Sequence, residues 1–193
     1  EDADITIVQS VASKNMEYHS LVAEHCPDAI ASAGSNAAYL ASTLDVPVSS
    51  QRISDTDILE ALNKARSISK EIHLFTYQAE NTAPSRLIHQ LEELMDIKLV
   101  HHTYVTADEA AESLMLALAS TKINVVVGPS YICNLAEQRQ LPAILIYSKE
   151  SARALIRDAI ELARRAMMDS FQLQLRAALM HDPHEPLLVC DAN

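Results

Sequence analysis

Short apolar, β-branched runs alternate with longer amphipathic stretches along most of this chain. The runs ITIV (5–8), DAIAS (28–32), VPVSS (46–50), IHLFTY (72–77), IKLVHH (97–102), INVVVG (123–128) and AILIYS (143–148) predict strands. Helical patterns lie near 14–25, 36–43, 55–68, 84–95, 107–120 and 130–139. Apolar residues in the strand runs are consecutive, as in strands covered on both faces. Strand–helix alternation then predicts an α/β fold with parallel sheets and right-handed crossovers. Thr106 with Glu109 three positions on predicts a capping box opening the fifth helix. Pro84 suits the first turn of the fourth.

Segment 52–71 carries a helix and no strand, so it reads as a crossing between two small lobes around a central cleft. The expected division is 1–54 with 149–166 as the first lobe and 55–148 as the second; a single wide sheet is the alternative. From residue 151 to about 179 nothing breaks the helical pattern. Roughly 28 residues at ~1.5 Å each give about 42 Å, longer than a small lobe needs. The stripe Ile156, Ile160, Ala163, Met167, Phe171, Leu175, Ala178 is expected to pack on the lobe at first. Residues 167–183 are then an exit helix and linker, suited to signalling or to a homodimer. Residues 184–193, ending in CDAN, read as the start of a following PAS-like domain.

Composition narrows the function. With 49% hydrophobic and 21% charged residues the chain is globular in type. It has two glycines, Gly34 and Gly128, where average usage would give roughly 13. That excludes a Walker loop and a GxGxxG loop. There is no Trp and there are two Phe, too few for a base-stacking platform. A net charge of −11 repels phosphate backbones, so no nucleic acid is expected to bind this segment. No apolar run reaches a membrane span, and no leader is visible. Three cysteines, Cys26, Cys133 and Cys190, are odd in number and far apart. They suit reduced thiols in a cytoplasmic protein. The chain opens at Glu1 and stops after CDAN, and reads as part of something longer.

In open parallel sheets, ligands bind beyond the carboxyl ends of the strands. Five such junctions can be read. They are Ser32-Ala33-Gly34-Ser35-Asn36; Ser49 to Ser54 with the cation Arg52; Thr76-Tyr77-Gln78; Gly128-Pro129-Ser130-Tyr131; and Tyr147-Ser148-Lys149. They supply hydroxyls, amides and helix N-termini, a donor set for a small anion. There is no paired carboxylate, GxSxG elbow or HExxH, so no catalytic residue, cofactor or metal is expected. Cys133, in the first turn of a helix, could have a lowered thiol pKa, though a small core residue is the plainer reading. His101-His102 and the tail residues His181, Asp182, His184 and Glu185 show too few convergent ligands for a metal site.

PDAIASAGSNAAYL, VPV and ISDTDILEAL resemble the N-terminal receptor domain of the propionate-catabolism activator family. IHLFTYQ, YVTADEA, NVVVGPSYICNLAEQ and LPAILIYSKESARALIRDAIELAR follow in the family's order, over roughly residues 4–165. The resemblance implies two chelatase-like, flavodoxin-like lobes around an effector cleft. It implies a sensor module of a sigma-54-dependent transcription activator, with a downstream AAA+ ATPase and a DNA-binding helix-turn-helix in the same chain. In the propionate activator the effector is 2-methylcitrate, a tricarboxylate. The matching positions are Ser32, Gly34, Ser35, Asn36, Arg52, Thr76, Tyr77, Gln78, Gly128, Tyr147 and Ser148, to which the helix start at Ser130 is added. Two departures stand out: Ala33 replaces an Arg common in the family, and a strand that usually precedes DITIV is missing.

The resulting expectation is a ligand-sensing domain without catalysis, binding a small anionic metabolite, a di- or tricarboxylate among the options. One rival is a cofactor-independent racemase of the two-lobed aspartate/glutamate type, which needs a thiol from each lobe. Cys133 is suitably placed for it, but Cys26 precedes its strand. The other rival is a periplasmic binding protein, for which an exit helix and a PAS-like tail have no use.

Overall fold

The computed structural model describes residues 3–8, 18–77 and 85–181, apart from the side chains of 85–87 and 179–181. Pro84 and the PAS-like start at 184–193 lie outside the described residues. In chain order the elements are α1 (Tyr18–His25), β1 (Ile30–Ala33), α2 (Gly34–Thr43), β2 (Val48–Gln51), α3 (Asp55–Ala65), β3 (Glu71–Tyr77) and α4 (Ser85–Met95). They continue with β4 (Lys98–Tyr104), α5 (Ala107–Ser120), β5 (Val126–Gly128), α6 (Ser130–Glu137), β6 (Ala143–Leu145) and α7 (Lys149–His181).

The strands form two sheets rather than one wide one. β1 and β2 make a two-stranded sheet, and the other four strands run in the order β4-β3-β5-β6. Every pairing is parallel. The chain crosses from one sheet's layers to the other's at 52–54 and returns at 146–148.

The larger sheet is covered on both faces, which is why its strands read as continuous apolar runs. Ile72, Leu74, Val125 and Val127 face one way, against Ile58 and Leu62 of α3 and Leu91 of α4. Phe75 and Val126 face the other way, against Leu114 of α5 and Ile132 of α6. The smaller sheet has a thinner core of Tyr18, Leu40 and Leu44, with Leu21, Val22, Ile30 and Val48 packed around them. α7 lies across β2 and β1, where Ser49 Oγ donates to the Leu155 carbonyl at 3.3 Å.

Two expectations need correcting. Residues 5–8 form no strand: they carry no ladder, and Ile7 is 83% exposed. An apolar run signals a tendency to be covered, but a ladder also needs a strand edge in reach. The cap of α5 is only half a capping box. Thr106 Oγ1 accepts from Glu109 N–H at 3.2 Å, but the Glu109 carboxylate accepts from Val105 N–H at 2.8 Å, one residue ahead of the cap. The complete box is on α3, where Ser54 and Asp57 cap each other reciprocally.

α7 spans 33 residues. Its first half is partly covered along Ile160 and Ala163. Further on, Met167, Met168, Phe171 and Leu173 are all more than half exposed. Among the described residues no helix is long and apolar enough to cross a membrane.

Candidate functional site

Two strand-to-helix junctions, one from each sheet, open onto the same cavity. At the first, β1 runs into α2 through Ala33 and Gly34. Gly34 sits at φ +57°, a left-handed backbone that a side chain would strain. The second is the junction of β5 with α6 at Pro129 and Ser130. The cavity between them has a volume of about 780 Å³, within the usual range for small-molecule sites.

The helices that open here differ from their neighbours in one respect. α3 and α5 carry side-chain caps from Ser54 and Thr106. α2 and α6 have Ala33 and Pro129 at the cap position and no side-chain cap bond. The first turns of these two helices therefore take no hydrogen bond from a capping side chain.

Asn36 organises this end of the cavity. Its Nδ2 donates to Ser32 Oγ at 3.0 Å, and its Oδ1 accepts from Tyr18 O–H at 3.0 Å. The amide thus ties α1, β1 and α2 together at the point where the chain turns. Ser35, Ser130, Tyr104, Tyr131 and Asn134 complete the polar wall. The exit helix itself forms another wall through Ile156, Ile160, Ala163 and Met167.

Of the sequence-predicted residues, Ser32, Gly34, Ser35, Asn36 and Ser130 come together in this lining. Gly128 sits just behind it, and an added Cβ there would meet Ile132 Cγ2 at 3.0 Å. Tyr147 flanks Gly34, its hydroxyl 4.0 Å from where a Cβ would lie. Neither is in the lining, nor are Arg52, Thr76, Tyr77 and Ser148. Arg52 is exposed. Thr76 is buried, its hydroxyl 2.8 Å from His101 Nε2, and Tyr77 packs on Tyr104. Gln78 lies outside the described residues.

Ser148 belongs to a different feature, centred on Asp57. The Asp57 side chain is fully buried and accepts from Ser54 N–H (2.9 Å), Ser54 O–H (2.8 Å), Ser148 N–H (2.9 Å) and Ser151 O–H (2.6 Å). One carboxylate therefore holds both crossings between the two sheets. Burial pushes its pKa up, but the hydrogen bonds from Ser148, Ser151 and Ser54 outweigh it and bring it down to about 2.

The cysteine and histidine candidates resolve into packing. Cys133 is buried, and burial, with the Glu137 charge, pushes its thiol up to about 12. A thiol held protonated in that way is no nucleophile. Adjacent His101 and His102 point to opposite faces of β4 and so cannot chelate together. His102 Nε2 lies 3.0 Å from His73 Nδ1, and its ring stacks on Phe75. Burial first, then the neighbouring histidines, lowers its pKa to about 4. Among the described residues no three ligating side chains converge as a metal site.

Sequence reasoning missed Tyr18, Tyr104, Asn134 and Asp57. Tyr104 was within reach, since it ends a strand on the ligand side, and Asn134 lies one helical turn beyond Ser130. Ser54 and Asp57 carry the S-x-x-D spacing of a cap, but nothing local connects Asp57 to Ser148.

Comparison with known proteins gives one family and several solved structures. The model of the family described as the propionate catabolism activator matches residues 1–167. The crystal structure of an NtrC family transcriptional regulator from Clostridium acetobutylicum superposes with a TM-score of 0.64 at 22% identity, over 77% of this chain and 79% of that one. A substrate binding protein with adhesive properties from Clostridium difficile, in its ligand-free, open form, gives 0.36 at 16% identity, over 65% and 55%. The glutamate racemase isoform RacE1 from Bacillus anthracis gives 0.33 at 14%, over 83% and 63%.

Proposed function

The chain belongs to the propionate catabolism activator family and is a regulatory sensor domain; from that premise we propose that it senses a small anionic metabolite for a sigma-54-dependent transcription activator. The observation that carries this reading is the meeting of two uncapped helix starts, one from each sheet, in a cavity walled by the exit helix. Helix starts favour an anion or a carbonyl oxygen. An occupant there touches both lobes, 1–54 with 149–166 and 55–148, and α7 at the same time.

Such an occupant favours the closed arrangement only by binding it more tightly than the open one. Closing turns the lobes about the crossings at 52–54 and 146–148, which Asp57 holds together. α7 moves with them and carries the change toward the AAA+ and helix-turn-helix domains expected in the same cytoplasmic chain. Its exposed residues Met167, Met168 and Phe171 are where two copies associate.

Calorimetric titration with candidate carboxylates tests the site. Asn36→Ala frees the turn it organises and weakens binding at least tenfold, whereas Arg52→Ala, outside the lining, leaves affinity unchanged. Loss of binding in Arg52→Ala with none in Asn36→Ala would place the effector elsewhere.

A further inference from the structure

The lining of the cavity also discriminates between classes of anion, an inference that rests on the sensor reading above. Its polar end is small. Two uncapped helix starts, each equivalent to roughly half a positive charge, together match about one negative charge. Among the described lining residues the charged side chains are Asp4, Asp28 and Arg164. The Arg164 guanidinium already donates to Glu161 at 2.8 Å. Arg52, the strand-end cation, is exposed and lies outside. A second or third carboxylate would enter a region that already holds two acidic side chains, where the one lining guanidinium, Arg164, is shared with Glu161.

The rest of the wall is apolar or aromatic. Leu21, Val22 and Ile30 stand on one side and Ile156 and Ile160 on the other, with the rings of Tyr104 and Tyr131 near the helix starts. Such walls gain by covering hydrocarbon and lose by desolvating a charge. A tricarboxylate offers little of the first and much of the second.

We infer that the effector is a small monocarboxylate with a hydrocarbon body, aromatic or aliphatic, rather than a di- or tricarboxylate. Its carboxylate sits at the starts of α2 and α6. Its body lies along the apolar wall and against α7, so the length and width of that body are what the exit helix reads.

The test is titration of the full chain at neutral pH and constant ionic strength with 3-phenylpropanoate, octanoate and citrate. At least one monocarboxylate is expected to bind tenfold or more tighter than citrate and to raise the thermal midpoint. Ile156→Glu places a charge on the apolar wall at a side chain already 41% exposed, so the fold tolerates it. It is expected to weaken monocarboxylate binding at least tenfold with the midpoint of the unliganded protein unchanged. Citrate binding as tightly as both monocarboxylates, or an Ile156→Glu variant with unaltered affinity, would overturn the inference. If citrate alone binds and Asn36→Ala removes it, the effector site stands and only the ligand class falls. If none of the three binds, the class is refuted and the site loses its support as well.

Discussion

Replacing Asp57 by Asn tests the joint between the two sheets most directly. The carboxylate takes hydrogen bonds from two fixed backbone donors, Ser54 N–H and Ser148 N–H, each at 2.9 Å, and from two hydroxyls. Asparagine keeps the shape but puts an NH₂ against one of those donors. The hydroxyls can rotate; a backbone N–H cannot. One buried donor is then left unmatched, at about 1–3 kcal/mol, and the charge-assisted character of the remaining bonds is lost. The lowered pKa gives a second measure. A fall from 3.8 to about 2 corresponds to about 2 kcal/mol at ~1.4 kcal/mol per unit. Because the folded-state pKa is the lower one, this stability is complete above the unfolded value near 4 and is lost as pH falls toward 2. Denaturant unfolding of wild type and Asp57→Asn at pH 7 should therefore differ by about 3 kcal/mol. The gap should narrow by about 2 kcal/mol by pH 2. A difference below about 0.5 kcal/mol at pH 7, or one that stays constant with pH, would refute the argument that this charge joins the crossings.

Further outcomes follow from the same structure. His102 has its pKa lowered to about 4, so it contributes stability that is complete above about 6.5 and lost as pH falls toward 4. After allowing for its partial exposure this amounts to about 2 kcal/mol, and His102→Phe should flatten the pH dependence of unfolding across that window. Gly34→Ala meets only the Tyr147 hydroxyl, at 4.0 Å, but adopts a left-handed backbone and should cost about 1–2 kcal/mol. Gly128→Ala drives a methyl toward Ile132 and Phe75 and should cost about 1–3 kcal/mol; thermal or denaturant unfolding measures both. Peptide mapping after brief alkylation of the native protein should find exposed Cys26 labelled and buried Cys133 unlabelled. Sedimentation tests the proposed association through α7: Phe171→Glu, at a side chain 56% exposed, is expected to give a monomer where wild type gives a dimer, with unfolding within about 0.5 kcal/mol of wild type.

Much of the fold was legible because its causes lie within a few residues of each element. α5 begins and ends where its pattern places it, at Ala107 and Ser120, since a threonine cap and an apolar stripe are both local signals. Val125 to Val127, leading into β5, reveal burial on two faces by their unbroken apolar character. Gly34 marks a turn because few other residues accept that backbone. The candidate site was half legible. Strand ends and helix starts can be read along the chain, and Ser32, Gly34, Ser35, Asn36 and Ser130 do share one cavity. The same rule also selected Thr76 and Tyr77, whose side chains are committed to the core.

Hydrophobic period, capping residues and turn glycines determined the α/β class, the order of elements and the long final helix, because each depends on neighbours along the chain. Tertiary structure alone decided which strands share a sheet, that residues 5–8 join none, and that Asn36 organises a turn. It also decided that Asp57 grips a serine 91 positions away. Those outcomes depend on which groups meet through space, and a hydrogen-bond donor carries no mark in the sequence of the acceptor it will find.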